Sequence, residues 1–358
     1  MIPTTHTPQP GIRLRITKPR SVTSEFISPA TKQTLASIVS TLDGLQRTRI
    51  QQGNRMIAVL KSLLGEQLKT HIKKFDVEGE ITELMSSKIL KLVEDDYRQF
   101  VKEGGAITTR ANFDKNSHKL KVIRNYEAAL LISAYVQSVD NEDRINAALA
   151  DVLKGHPLWE ACQMNKGTFY GIGPKVIAVL VAYIDIEKAI NVSKIVKYAG
   201  LDVVINPETG EGEGRGRYKH HLVPKTYTKA DGEVVETMGI SYNPYLKKIL
   251  LGVCAVNMIK LGAPSSLNRN TPSIYYTYYQ NYKHRIKTRE DVKSAADPEY
   301  KRRTDRHIDF MARRFMIKFM LLNVYRAWRS ALGLPVYKTY AEEMIHMQHH
   351  QSFEIDYV

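Results

Sequence analysis

The chain has only two cysteines in 358 residues, Cys162 and Cys254, and both fall in apolar, helix-patterned stretches. That excludes a disulfide framework and any cysteine-built zinc site, and fits a reducing compartment. No apolar run approaches the ~20 residues that a bilayer-spanning helix needs, so no membrane partner is expected. The start, Met1-Ile2-Pro3-Thr4-Thr5-His6, lacks the apolar stretch of a secretory signal. Acidic residues are scarce early: Glu25 is the first. Two nucleotide-binding signatures are missing. The Walker loop needs four residues between its glycines and a Lys-Ser/Thr pair, neither of which Gly171-Ile172-Gly173-Pro174-Lys175 has. A Rossmann fingerprint needs a preceding strand, whereas 158–162 reads as the end of a helix.

Positive charge is abundant. Fifty-two Lys and Arg stand against 37 Asp and Glu, a net charge of +15. An excess of this size implies a polyanionic partner, and nucleic acid leads that class. The excess is concentrated: residues 281–329 carry 14 Lys/Arg and 6 Asp/Glu, 14 − 6 = +8. The apolar fraction of 43% and charged fraction of 25% are otherwise those of a globular protein, long enough for two cored domains.

The hydrophobic pattern predicts a mainly α fold, a helical arm or coiled coil followed by a helical domain with a small β-hairpin insertion. Residues 1–30, with five prolines and Arg13, Arg15, Lys18 and Arg20, read as a disordered basic arm, either uncommitted or laid along a phosphate backbone. Residues 31–155 read as a helical arm suited to dimerisation, with helices at about 30–74, 80–103, 120–139 and 142–154, and a loop at 106–118. Residues 156–340 form the second domain, and 341–358 a tail. Within 202–239, Val203-Val204-Ile205 is a short strand. The turn Ala230-Asp231-Gly232 divides a hairpin, and Gly-rich 211–217 is a charged loop. Asn191 and Asn243 are placed to cap helices. The tyrosines between Tyr275 and Tyr282 can stack on bases, but their spacing favours a packing face. His346, His349 and His350 read as a surface cluster, and no metal ligand set is assigned.

The segment that organises the second domain is 169–186. Two glycines one residue apart precede Pro174, whose fixed φ suits a first helical turn, and an almost wholly apolar helix follows. Gly171, Gly173 and Lys175 thus stand where bare amides and a cation can meet a phosphate oxygen, in a helix-hairpin-helix that grips backbone without reading bases. Plain turn chemistry explains the same residues. Further DNA-contact candidates are Arg215, Arg217 and Lys219 in the Gly-rich loop, Lys247 and Lys248 on the helix after Asn243, and Arg313 and Arg314 on the last long helix. For that last pair a solvated helix face is the competing reading.

The order of these motifs resembles insertion-sequence transposases of the IS-one-ten class, the bridge-RNA-guided recombinases. The resemblance rests on Tyr170-Gly171-Ile172-Gly173-Pro174-Lys175 with its apolar helix, then Tyr198-Ala199-Gly200-Leu201. It continues with 243–250, Tyr278-Tyr279-Gln280-Asn281-Tyr282-Lys283, Ala312-Arg313-Arg314-Phe315-Met316 and Gly333-Leu334-Pro335-Val336. It covers about 170 residues and is similar to that family's C-terminal transposase domain. It implies DNA as partner, a structured guide RNA, a homo-oligomer through the helical arm, and a cytoplasmic, nucleoid-associated place. It also implies an N-terminal RuvC-like domain whose four acidic residues bind Mg2+, which is required only by an active enzyme. No strand-borne aspartate stands where that tetrad would begin. The family's nucleophilic serine loop aligns with 206–212, where Thr209 occupies the place; Ser241 is a second hydroxyl candidate. The implied function is transposition or recombination of a mobile element. The alternative is a catalytically inactive, transposase-derived nucleic-acid-binding protein.

Overall fold

The computed structural model describes residues 12–17, 28–73, 84–123, 125–264, 271–339 and 353–357. It is mainly α-helical, with two-stranded sheets only among the described residues, as expected. The chain divides into two compact units, Ser37–Ala150 and Met1–Ala36 with Asp151–Val358.

The first unit is built from helices α1 (Pro29–Lys73), α2 (Leu84–Lys102), α3 (Arg110–Asn116) and α4 (Tyr126–Leu153). Its core joins Met56 and Leu60 of α1, Ile89, Val93 and Phe100 of α2, and Ile132, Tyr135 and Val136 of α4. Gly53 permits this packing, since a Cβ there would meet the Tyr135 ring at 3.3 Å. Two expectations are corrected. The loop at 106–118 contains α3, whose N-terminus is capped by the Thr109 hydroxyl accepting from the Asn112 amide at 3.2 Å, with Phe113 as its buried anchor. The third and fourth helices are one. The polar segment near 140–142 is an exposed-side face rather than a break. There Arg98 donates to Asp140 at 2.7 Å and Arg49 to Glu142 at 2.7 Å. The second helix is described from Leu84 only; residues 80–83 lie outside the described residues.

The second unit is organised around α11 (Asp305–Ala331), buried at every position from Met320 to Ala331. That stretch carries Asn323, Arg326, Arg329 and Ser330 among its apolar residues, and burying such polar groups requires partners inside the fold. Around it pack α5 (Pro157–Met164), α7 (Val192–Tyr198), α9 (Ala255–Gly262) and α10 (Ile274–Ala296), while α6 (Pro174–Tyr183) packs against α5. A short α8 (Pro244–Lys248) runs through a π-helical segment, Ile249–Cys254, into α9. The Asn191 and Asn243 side chains cap α7 and α8, accepting from the Lys194 and Leu246 amides at 3.1 and 3.0 Å. Some buried polar groups on α11 find partners, the Arg329 guanidinium donating to the Ile186 and Pro335 carbonyls at 2.7 and 2.6 Å, while the Trp328 Nε1 has none. Tyr275 (fully buried), Tyr278 and Tyr279 pack into the core, so this part of the tyrosine tract is a packing face.

Strand β1 (Ile12–Ile16) overturns the disordered-arm expectation for its residues. Ile12, Leu14 and Ile16 are buried while Arg13 and Arg15 face outward, the alternation of a half-buried strand. The reciprocal Asn165 bonds, Arg15 amide to Oδ1 at 2.8 Å and Nδ2 to the Arg15 carbonyl at 2.6 Å, tie it to the end of α5. Its partner is β6 (Phe353–Tyr357), paired in parallel with Ile12 opposite Phe353. The expected tail therefore contains a strand. Residues 1–11 and 18–27 of the expected arm, and 341–352 and 358 of the tail, including His346, His349 and His350, lie outside the described residues. Strands β2 (Val203–Ile205) and β3 (Gly212–Gly214) form one antiparallel pair, and β4 (Leu222–Thr228) and β5 (Val234–Ile240) form the expected hairpin.

Candidate nucleic-acid interface

The hairpin between α5 and α6 forms as expected, with Pro174 at the first turn of α6 and Val176 to Val181 buried. Its residues also have packing roles. Gly171 has φ +85°, and a Cβ there would lie 2.9 Å from the Met258 backbone, so the glycine serves close packing of the hairpin on α9. Gly173 is the N-cap of α6. Lys175 is 8% exposed. The turn and the buried helix form where the sequence pattern placed them.

A different group of cations converges. Asp202 follows α7 and accepts a fork from Arg215, with Nε at 2.8 Å and Nη2 at 2.8 Å. The remaining Arg215 nitrogen, Nη1, donates to the Ser241 hydroxyl at 2.9 Å. The Lys247 ammonium, on α8, donates to the Arg215 carbonyl and lies over the Tyr242 ring, 4.8 Å from its centroid. Burial lowers the Lys247 pKa to about 8, and the Arg314 charge adds to the effect. Burial likewise lowers the pKa of Arg314 and Lys318, with Arg314 also acting on Lys318. Among the described residues neither Arg314 nor Lys318 has an ion-pair partner, and the Arg314 Nε is buried without a hydrogen bond. Four cations thus share one carboxylate, Asp202, which is already forked by Arg215.

Arg314 reaches this place because β3 passes close by. A Cβ on Gly214 would fall 1.5 Å from the Arg314 Nη1, so only glycine lets the guanidinium lie against the strand. Lys318, one helical turn beyond Arg314, is the member that sequence reading missed; the i, i+4 spacing on α11 was its signal. Arg217, Lys219 and Lys248 are exposed nearby in sequence. Arg313 points its charge elsewhere, into Asp309 at 2.7 Å. Of the two hydroxyl candidates, Thr209 lies in the exposed β2–β3 turn, its hydroxyl accepting from the Glu211 amide at 3.3 Å, and Ser241 is held by Arg215.

Above the cations opens a cavity of about 450 Å³. Arg314 and Lys318 line it from α11, together with Phe310 and Phe315; Tyr282 of α10 and Tyr218 of the Gly-rich loop complete its aromatic lining. Tyr282 stacks on Phe315 with centroids 4.2 Å apart.

One cluster of metal-capable groups forms among the described residues: Glu213, His220 and His221, with ligand atoms within 4.8 Å of one another. Its proton positions do not suit a metal. The Gly216 amide donates to His221 Nδ1 at 2.9 Å, which places the ring's lone pair there and its proton on Nε2. That buried Nε2 has no hydrogen-bond partner and lies 3.8 Å from the Glu213 carboxylate. A metal at Nε2 needs a lone pair where the neutral ring carries its proton. The partners of the Glu213 carboxylate are instead Asn206, donating at 2.7 Å, and His220, and both lower its pKa. Magnesium takes oxygen ligands, and no cluster of three or more carboxylates occurs among the described residues. The residues described do not fit the magnesium tetrad that the resemblance implies.

No helix among the described residues is long and apolar enough to cross a membrane. Comparison with protein-family models, with curated proteins and with solved structures returns no match.

Proposed function

We propose that the chain is a transposase-type nucleic-acid-binding protein that holds the DNA of a mobile element during transposition or recombination. The observation that carries this reading is the gathering of Arg215, Lys247, Arg314 and Lys318 around the single carboxylate of Asp202. Cations taken from water without matching anions are costly to the free protein, as the lowered pKa values express. A phosphate backbone supplies the missing negative charge. The ordered motifs from Tyr170 to Val336 support the transposase assignment by resemblance. Nucleoid association follows from DNA binding, a guide RNA is a second polyanion for the same cations, and self-association is assigned to the helical arm.

A second reading, a catalytically inactive derivative, is favoured by the lack of a carboxylate cluster among the described residues. Strand cleavage of the element's ends, with magnesium and flanking RNA present, separates the two.

The test of binding is salt dependence. Four phosphate contacts give a log–log slope of about −3.6, so duplex affinity drops about 100-fold between 50 and 200 mM salt. Affinity that stays flat over that range overturns the reading. Competition by folded RNA from the element's flanks, measured in the same assay, tests the RNA partner, and sedimentation tests self-association.

A further inference from the structure

The cavity beside the cation cluster has a division of chemistry that a groove for duplex backbone does not need. Its volume, about 450 Å³, is that of a small-molecule site. On α11, Arg314 and Lys318 supply cations with no ion-pair partner among the described residues. Aromatic rings stand at the rim. Phe310 is 43% exposed, with Arg313 and Arg306 at 5.4 and 6.0 Å from its centroid. Tyr218 is 60% exposed and lies parallel to His220.

The two carboxylates that line the cavity do not cancel its cations, because each is already engaged. Glu211 pairs with Arg303 at 3.5 Å, and Glu213 accepts from Asn206 and His220. The strand wall, Gly212 to Gly214, carries glycine at both ends, and the Arg314 guanidinium lies against Gly214. An exposed ring has a face that any base can use, whatever its sequence, and unpartnered cations suit the attached phosphate.

The geometry points to a pocket for a single unstacked nucleotide, its phosphate on Arg314 and Lys318 and its base on Phe310 and Tyr218. This rests on the nucleic-acid reading above and adds to it a preference for an extruded or unpaired nucleotide over continuous duplex. The same chemistry would accept a free nucleoside monophosphate, and the two sources are separable.

The experiment uses the full chain with two DNA duplexes of about 20 base pairs, one fully paired and one carrying a single unpaired 2-aminopurine. The bulged duplex binds about 10-fold tighter, and its 2-aminopurine fluorescence is quenched on binding. Phe310→Leu, a change at an exposed ring, removes both the preference and the quenching while paired-duplex binding persists; Lys318→Met removes the preference and weakens both duplexes. Equal affinity for the two duplexes without quenching, with salt-dependent binding retained, overturns the pocket and leaves the nucleic-acid reading standing. Loss of salt dependence on both duplexes overturns that reading as well. Saturable adenosine monophosphate binding, lost in both variants while the duplexes bind equally, assigns the pocket to free nucleotide and overturns the strand-borne placement.

Discussion

Two charged clusters in the same unit have opposite electrostatic characters. Glu290 of α10 is fully buried and accepts from the Tyr300 hydroxyl at 2.8 Å, the Arg303 amide at 3.1 Å and the Arg303 guanidinium at 2.6 Å. Burial alone would raise its pKa; those donors overcome the burial and hold it down to about 2. Around Asp202 the count runs the other way. One carboxylate faces four cations, and burial lowers the pKa of Lys247, Arg314 and Lys318. The first cluster is complete within the chain and secures the turn between α10 and α11. The second is complete only with an anion from outside. Burial therefore does not distinguish a structural ion pair from a binding site; the balance of charges does.

The comparison breaks most readily at Glu290. Glu290→Gln leaves Arg303 without its buried carboxylate and is expected to cost about 3–5 kcal/mol, read by denaturant unfolding. The pH dependence has a definite sign. Because the folded pKa lies below the ordinary carboxylate value of 4.5, the contribution is present above that pH and is lost as pH falls toward about 2. A wild-type chain whose stability does not fall between pH 4.5 and 2 would contradict it.

The Asp202 cluster should respond in binding more than in stability. Gly214→Ala places a methyl where the Arg314 guanidinium lies. The end of a long side chain can move, so the expected loss of stability is below about 1 kcal/mol, while duplex affinity at low salt falls about 5-fold. Lys247 supplies a pH signature. Its free pKa is about 8, and a bound phosphate raises it, so affinity holds below pH 8 and declines as pH rises beyond it. Affinity unchanged from pH 7 to 9.5 would place Lys247 away from the bound phosphate. The smallest effect belongs to Arg217, which is exposed. Arg217→Ala should reduce the salt slope by about 1 and leave unfolding unchanged.

Much of the second unit was legible because its signals are local. Asn191 and Asn243 cap helices where their spacing placed them, the turn at 230–232 closes the β4–β5 hairpin, and the apolar run after Pro174 is buried. The failures share a physical cause, the dependence on distant neighbours. Asp140 and Glu142 look like a helix break until Arg98 and Arg49 arrive from other helices. At the site, Arg215, Lys247 and Arg314 could each be named as cations, but three separate elements bring them to Asp202. Lys175 shows the converse: a lysine at a helix start reads as surface charge until the packing buries it.

The parallel pairing of β1 with β6 has a consequence for the time course of synthesis. The strand partners are 341 positions apart. At ~5–20 residues per second, a ribosome needs roughly 20–70 s to pass from one to the other. For that interval β1 is a short strand, apolar on one face, with no strand to pair it, while α5 and α11 are still being made. Closure of the sheet is therefore a late event, and a nascent chain arrested before residue 353 would display an unfilled strand edge of the kind that chaperones and other chains recognise.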